Sequence, residues 1–331
     1  MNRRTRDEYG THPSPIRRGF AWRSEWDRQI LRLAVPAFGA LISEPLYVLA
    51  DTAVVGHLGT PQLAGLAVAS SVLLTVNSLC VFLAYGTTAA VSRLLGAGDD
   101  LEAAHQAVQG LWLAAALGTG LALLGLATSG PLVSALGAEG AVADHAELYL
   151  RVSLPGLPAM LAILAGTGYL RGLQDTRTPL VVAAVSALGN LVLELVLIYG
   201  FDFGIGASAL ATVVAQWGAA AVYLRAVGRQ ARRLSVGFLP HAESLRRLLV
   251  VAGALVVRTM SLRLALVAAT AVAARIGVDD VGAHHVAFEL WNFLALGLDA
   301  LAIAGQALIG RLLGAGSAGA ARQAGRRMLE L

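Results

Sequence analysis

Long apolar runs recur along this chain, and they constrain its fold more than any other feature. Several exceed the roughly 20 residues that cross a bilayer as a helix, and no strand periodicity is visible. With 56% hydrophobic and 14% charged residues, the chain has more apolar surface than a soluble domain of 331 residues can bury. Only a helix satisfies its own backbone hydrogen bonds in lipid, so we expect an all-α membrane protein, a polytopic helical bundle. The predicted helices are 30–57, 63–92, 104–127, 146–170, 178–200, 206–228, 247–276 and 281–311.

The arginines follow these helices in a regular way. They crowd the N-terminal tail and alternate connections, whereas most charged residues in the intervening connections are acidic. Because basic residues are enriched on the cytoplasmic side of membrane proteins, we expect the Arg-rich tail, 1–29, to be cytoplasmic. The arginines are Arg3, Arg4, Arg6, Arg17, Arg18, Arg23, Arg28, Arg93, Arg171, Arg177 and those within 229–247 and 322–327, and the acids are Glu139, Asp144, Glu147, Asp202, Asp279 and Asp280.

An internal repeat organises the chain. The segment "VSRLLGAGDD" matches "IGRLLGAGSA", and Arg93 of the first lies 218 residues before Arg311 of the second. Two further blocks match at the same offset without a gap. Agreement of three blocks at one offset indicates a repeated unit rather than chance similarity between apolar words. The further blocks are 52–59 with 270–277 and 66–70 with 284–288.

The repeat unit spans six predicted helices. An even number gives both copies the same orientation in the bilayer, and transporters with such parallel repeats bind substrate at the repeat interface. The chain holds one full copy and the first two helices of another, so we expect a chain truncated after its eighth helix, with about four helices of a complete repeat pair absent. The predicted organisation is a six-helix N-terminal lobe over 30–228, a cytoplasmic linker over 229–246 and a partial second lobe over 247–331.

Three long segments resemble one known family. They are "RLAVPAFGALISEPLYVLADTAVVGHLGTPQLAGLAVAS", "RGLQDTRTPL" and "LWNFLALGLDALAIAGQALIGRLLGAG". In this order they resemble the MATE (multidrug and toxic compound extrusion) transporters, in particular the DinF branch. The resemblance implies a twelve-helix antiporter of the cell membrane with two six-helix lobes. It implies the export of organic, often cationic, compounds in exchange for sodium ions or protons.

Acidic side chains inside the apolar runs are the first candidates for a functional site. An ionisable group within a bilayer helix costs several kcal/mol unless it faces a cavity or a partner, so Asp51 in the first helix is the leading candidate. Glu44 precedes it by seven residues and lies on nearly the same stripe of the helix, with Tyr47 between them. Pro45 lacks a backbone donor and permits bending near this position.

The fifth and sixth helices supply further polar residues. Asn190 and Glu194 are four residues apart and therefore share one helix face, and Thr212 follows in the next helix. Together with Asp51 these residues resemble the cation site in the first lobe of MATE antiporters. The family usually carries aspartate where this chain has Glu194, so the ion preference or the geometry of the site is expected to differ.

The chemistry of these groups suits a small cation. Carboxylate, amide and hydroxyl oxygens match a hard cation such as sodium, while two neighbouring carboxyl groups in a low dielectric can instead share a proton. A sodium ion is the only metal expected, no other cofactor is expected, and the choice between sodium and proton stays open. The alternative is that Asn190 and Thr212 only pin helices together.

Two residues in the seventh and eighth helices are further candidates. Arg263 lies deep in the seventh helix and is predicted to pair with Asp299 of the eighth. Asp299 also matches an acidic position of DinF-like sequences. Arg258, nearer the cytoplasmic end, is predicted to have a structural role.

Three other functions are alternatives to antiport. A flippase for lipid-linked precursors belongs to the same superfamily and would need a more cationic cavity. A membrane enzyme would need paired aspartate-rich motifs at the cytoplasmic surface, and no nucleotide-binding P-loop is present. A fragment without transport of its own is the third alternative.

The expected partners are a small organic substrate and the lipid bilayer, not nucleic acid, and the oligomeric state is left open.

Overall fold

The computed structural model describes residues 25–201 and 203–331, in which the chain forms eleven α-helices and no strand. Most of the predicted cytoplasmic tail and Asp202 therefore lie outside the described residues. The helices are α1 (Glu25–Gly56), α2 (Thr60–Cys80), α3 (Phe82–Gly96), α4 (Asp100–Ala135), α5 (Gly140–Ser153), α6 (Leu157–Gly172), α7 (Arg177–Leu195), α8 (Ile205–Arg233), α9 (Ala242–Ile276), α10 (Val278–Gly314) and α11 (Ala318–Glu330).

Within the described residues, eight helical segments are long and apolar enough to cross a membrane, which confirms the predicted number. We call them the first to eighth spans in chain order. Several spans combine two helices, because short breaks interrupt them without ending the crossing. The spans are Glu25–Gly56, Thr60–Gly96, Asp100–Ala135, Gly140–Gly172, Arg177–Gly200, Ile205–Arg233, Ala242–Ile276 and Gly282–Gly314.

The helices extend beyond the predicted apolar segments. The third span begins at Asp100 rather than near residue 104, because the Asp99 side chain accepts a hydrogen bond from the backbone N–H of Glu102 at 3.0 Å and so caps the helix. This first turn is polar, and hydrophobic periodicity alone does not include it. The apolar pattern thus marks the part that crosses lipid rather than the full helix.

Three spans contain local breaks. The second is interrupted at Val81, the fourth by a 3₁₀ turn over Leu154–Gly156 that contains Pro155, and the fifth ends in a π turn over Val196–Gly200. Proline removes a backbone donor and accounts for the break in the fourth span. The first span, in contrast, continues as one helix through Pro36 and Pro45.

The fourth span lies at the centre of the first six. Almost every residue of α6 is buried, and small side chains there allow neighbouring helices to approach closely. A methyl group added to Gly166 would overlap the side chain of Tyr223 on α8, and one added to Gly168 would overlap the backbone of Ala84 on α3. The close packing of α6 against α3 and α8 therefore depends on glycine at these positions.

The eighth span packs against this bundle at one end only. Near the Arg-rich end of the molecule, Ile30, Leu33 and Ala34 of α1 form a core with Ala304 and neighbouring small residues of α10. The short helix α11 then returns along α1, where Arg327 forms an ion pair with Asp27 at 2.6 Å. The seventh span is mostly exposed along its described length.

Candidate functional site

Three spans each present two polar residues that are four positions apart. This spacing places both members of a pair on one helix face, and the three faces converge in the half of the bundle away from the Arg-rich end. The α7 pair lies toward the end of the fifth span, and the α8 pair lies at the start of the sixth, so both are near the connection between these two spans. The pairs are Tyr47 with Asp51 on α1, Asn190 with Glu194 on α7, and Ser208 with Thr212 on α8.

A hydroxyl network joins the three helices. The Thr212 hydroxyl donates to the backbone carbonyl of Ser208 at 3.0 Å, so it must accept from its other neighbours. It therefore accepts from the Tyr47 hydroxyl at 2.7 Å and from the Asn190 amide nitrogen at 3.1 Å. Asn190 Nδ2 also donates to the Tyr47 oxygen at 3.3 Å. Each hydroxyl and the amide nitrogen therefore has a defined role: Asn190 donates to Tyr47 and Thr212, Tyr47 donates to Thr212, and Thr212 donates to the backbone.

Asp51 lies directly beside this network. Its carboxyl oxygen Oδ1 accepts a hydrogen bond from the Ser208 hydroxyl at 2.5 Å, and the two residues are 5% and 0% exposed. A charge-assisted bond of this length fixes the orientation of the carboxyl group. Tyr149 of α5 is also buried and interacts electrostatically with Asp51.

Glu194 and Asn190 leave acceptor oxygens without a donor. Within the described part of the chain, neither Glu194 carboxyl oxygen has a hydrogen-bond partner, and the same is true of Asn190 Oδ1. The two residues are 0% and 2% exposed, so solvent at the protein surface does not reach them. Buried acceptors without donors are costly, and a bound cation or a proton on the carboxyl group would satisfy them. The donor set, all oxygen, fits a hard cation or a proton.

A cavity of about 250 Å³ reaches this cluster between the first and fifth spans. Asp51 and Glu194 both line it, together with Tyr47 and mostly apolar residues of α7. The two carboxyl groups also interact electrostatically with each other. The cavity therefore borders both acids.

The structure brings together Asp51, Asn190, Glu194, Thr212 and Tyr47, but not Glu44. Glu44 is exposed and accepts a hydrogen bond from Asn77 of α2 at 3.2 Å. It does lie on the same stripe as Asp51, yet seven residues of helix separate the two by about 10 Å. The expectation that Glu44 joins the cluster is not met, because a shared stripe does not mean contact.

Arg263 and Asp299 are not paired in the described chain. Arg263 is exposed and forms no ion pair, while the cations that interact with the Asp299 carboxyl group are Arg258 and the buried Arg171 of α6. The predicted pairing of Arg263 with Asp299 is therefore not observed. Arg258, predicted to be structural, is the cation whose charge acts most strongly on Asp299.

The register of the two helices explains this difference. Thr270 of α9 lies opposite His284 of α10, with 3.2 Å between Oγ1 and Nε2. In an antiparallel pair with that register, Arg258 falls across from the turn that contains Asp299. Arg263, five residues nearer the pairing point, lies about 7.5 Å farther from that turn along the axis than Arg258 does.

Ser208 is the residue of the site that the sequence analysis missed. Serine is common in membrane helices and carries no charge, so it gives little signal by itself. Its position four residues before Thr212 was the available signal, because this spacing puts both hydroxyls on the face that meets Asp51. Nothing comparable in the sequence points to Tyr149.

Comparison with known proteins agrees with this architecture. A family model described as MatE matches residues 36–196. DNA damage-inducible protein F of Escherichia coli (strain K12) is 33% identical over 294 residues, which cover 87% of this chain and 64% of that protein. A probable multidrug resistance protein NorM of Thermotoga maritima is 28% identical over 223 residues, 64% of this chain and 47% of that protein. The chain thus spans less than two thirds of these curated relatives.

Solved structures show the same fold. A MOP superfamily transporter from Pyrococcus furiosus superposes with a TM-score of 0.83 at 25% identity, covering 93% of this chain and 69% of that one. A crystal structure of MATE in complex with MaD3S gives a TM-score of 0.83, also at 25% identity, over 93% of this chain and 70% of that one. Family model, sequence relatives and fold agree in one direction: the chain is similar to membrane transporters of the MATE family, and among curated proteins it is similar to DNA damage-inducible protein F.

Proposed function

We propose that this chain forms the ion-coupling part of a secondary antiporter that exports organic, often cationic, compounds in exchange for sodium ions or protons. One observation carries the proposal. The buried oxygens of Glu194 and Asn190 have no donor among the described residues, and they lie beside the carboxyl group of Asp51. Such a set of acceptors is costly in a helical bundle unless a positive charge is bound for part of the cycle.

The coupling would follow from competition at this cluster. A sodium ion or proton bound between Asp51 and Glu194 offsets one of their two negative charges, and its departure restores the full repulsion between the two carboxyl groups. Because Tyr47, Asn190 and Thr212 join three spans, a change of charge at the acids acts on all three helices. A ligand shifts such an equilibrium only as far as it binds the two states differently, and the acids supply that difference.

Orientation and organisation are part of the proposal. Because basic residues are enriched on the cytoplasmic side, we propose that the N-terminus and the Arg-rich end of the bundle lie on the cytoplasmic side of a cell membrane. The proposed units remain the six-helix lobe over 30–228, the linker over 229–246 and the partial lobe over 247–331. The structure has α8 ending at Arg233 and α9 beginning at Ala242, so the proposed linker includes helix ends.

A transport assay distinguishes the coupling ions. Lipid vesicles containing the chain are loaded with a fluorescent organic cation, and a sodium gradient and a proton gradient are imposed in separate experiments. The proposal expects movement of the dye with one of these gradients and none with an equal potassium gradient. Glu44→Gln is the control for substitutions within the cluster. Glu44 lies on the same helix stripe as Asp51 but outside the cluster, so this variant should retain the parent rate.

The alternative of a lipid-linked precursor flippase predicts a different result. Such a protein would move a fluorescent lipid between leaflets and leave the organic cation in place. Arg171 and Arg258 interact electrostatically with the carboxyl group of Asp299, and its negative charge reduces their attraction for an anionic lipid. Movement of the lipid but not of the cation under either gradient would replace the antiport proposal.

A further inference from the structure

The two copies of the repeated hexapeptide contact each other in the folded chain. A methyl group added to Gly96 of α3 would overlap the backbone carbonyl oxygen of Arg311 on α10. A methyl group added to Gly314 of α10 would overlap the backbone carbonyl oxygen of Arg93 on α3. Gly96 and Gly314 are equivalent positions of the repeat, as are Arg93 and Arg311, since each pair is 218 residues apart. The contact is therefore reciprocal.

A third equivalent pair locates the symmetry axis. Ser92 and Gly310 are also 218 residues apart, and the Ser92 hydroxyl fills the space that a side chain at position 310 would occupy. The same hydroxyl lies 3.3 Å from the backbone oxygen of Gln306. Gly96 contacts Arg311, the equivalent of Arg93, and Arg93 in turn contacts Gly314, the equivalent of Gly96. A reciprocal contact of this kind indicates a two-fold axis between the two copies. The axis that relates the repeats thus passes between α3 and α10 at this point.

Within the described residues, the two copies of the repeat contact each other only toward the Arg-rich end. Near that end Ala37 of α1 is buried against Ala300 and Ile303 of α10. Farther along, Leu49 of α1 is 66% exposed and Leu294 of α10 is 67% exposed. The core contacts between the two helices therefore lie in their Arg-rich halves. The structure is closed at the Arg-rich end.

Polar contacts across the same end support the closed arrangement. Arg311 Nη1 donates to Gln174 Oε1 at 3.3 Å, which joins α10 to the connection after α6. Arg327 of α11 donates to both carboxyl oxygens of Asp27 at 2.6 and 3.0 Å, and Asp27 is buried. Bidentate pairs of this kind combine strength with a defined geometry. They hold α11 against α1 at this end of the structure.

We propose that Gly96 and Gly314 form the closing contact of a gate at the Arg-rich end, sealed by backbone rather than by side chains. Each glycine meets a carbonyl oxygen of the opposite helix, and a backbone atom cannot rotate away as a flexible side chain can. Any side chain at either position separates α3 from α10 at this end and favours the open state. The inference rests on the proposed transport function, because a gate has a role only in a protein that alternates between two states.

Spin labels on the two helix ends test the gate. Ala97 and Ala315 follow Gly96 and Gly314, are exposed and occupy equivalent repeat positions. Cys80→Ser first removes the native thiol, and Ala97→Cys and Ala315→Cys then carry the labels in lipid nanodiscs. The closed gate predicts strong dipolar broadening of the resonance spectrum. Gly96→Ala and Gly314→Ala are each expected to lose most of that broadening.

Two other glycines serve as matched controls. A methyl group added to Gly86 of α3 or to Gly297 of α10 meets no atom within 4 Å, so Gly86→Ala and Gly297→Ala should keep the parent spectrum. Arg327→Gln is a second route to the open state that adds no volume, and it should reduce the broadening even if the glycine variants fail to fold. Unchanged broadening in the folded glycine variants, or in Arg327→Gln if those do not fold, overturns the gate.

The spectra do not depend on transport. If Gly96→Ala opens the labelled end while no gradient drives the organic cation through the parent chain, the proposed function fails and the gate contact stands. If transport proceeds at the parent rate in Gly96→Ala and the spectrum is unchanged, the gate fails and the proposed function stands.

Discussion

Ser208 donates a 2.5 Å hydrogen bond to the carboxyl group of Asp51, and this contact joins the sixth span to the first. The carboxyl group of Glu194 on the fifth span lines the same cavity without a donor. The site therefore contains one acid held by a hydroxyl and one whose buried oxygens have no partner in the described chain. This asymmetry suits a proton or cation that exchanges at Glu194 while Asp51 stays oriented.

Removal of the Ser208 hydroxyl should weaken cation binding. In Ser208→Ala the buried carboxyl group of Asp51 loses its donor, and a hydrogen bond to a charged group contributes about 1.5–3 kcal/mol. We expect the apparent affinity for the coupling cation to fall by about tenfold or more. Calorimetric titration of the purified chain measures this loss. Ser208→Thr keeps the hydroxyl and is the control, and equal losses in both variants would contradict the role of the hydrogen bond.

The hydroxyl network should make Tyr47 and Thr212 energetically dependent on each other. Tyr47→Phe and Thr212→Val each remove one side of their 2.7 Å hydrogen bond. Neighbours in one network usually couple by about 0.5–3 kcal/mol, so we expect the double variant to lose less stability than the two single losses added. Unfolding in a denaturant series measures all four proteins.

Ser261 supplies the control for that cycle. Its hydroxyl donates to the backbone of its own helix, α9, and belongs to no network with Tyr47. Tyr47→Phe combined with Ser261→Ala should therefore give an additive loss. Strict additivity in the Tyr47 and Thr212 pair as well would show that the network is not a unit.

Docking of α11 should depend on pH. Hydrogen bonds from Arg327, together with the charge of Arg326, hold the pKa of Glu330 below its usual value of 4.5. A carboxyl group with a lowered pKa in the folded state stabilises that state above its unfolded pKa, and the contribution is lost as the pH falls through the folded pKa. The hydrogen-exchange protection of α11 should therefore be full near neutral pH and decline below 4.5.

Glu330→Gln isolates that contribution. The pKa of Arg327 is raised by its hydrogen bonds to Asp27 and Glu330, so its own charge persists far above neutral pH and does not affect the acid range. The variant should show weaker protection near neutral pH and a smaller decline in acid. The same protection profile in the variant and the parent would exclude Glu330 as the titrating group.

The membrane spans were predictable because length and hydropathy determine them almost alone. A helix must carry about 20 apolar residues to cross the bilayer, and that requirement does not depend on the rest of the fold. The break at Val81 was not predictable in the same way. No proline or glycine lies at that point, so the interruption follows from packing between helices that a local pattern does not contain.

The candidate site was predictable in its charged members and not in its uncharged ones. Asp51 and Glu194 stand out because a carboxyl group in lipid is costly, and Asn190 follows from its spacing to Glu194. Ser208 carries no such cost and gave no signal by itself. The position of Glu44 and the partner of Asp299 depend on helix contacts and register, respectively, and single-helix periodicity fixes neither.

The most direct test of the coupling site is dye efflux in Asp51→Asn under the gradient that drives the parent. Asparagine keeps the size of the side chain and an acceptor for the Ser208 hydroxyl, so insertion and folding should survive while the negative charge that Asp51 contributes to the site is lost. We predict that gradient-driven efflux falls to the level of empty vesicles at every pH, with membrane insertion unchanged. Efflux at the parent rate over a range of pH would show that Asp51 does not couple ion movement to export.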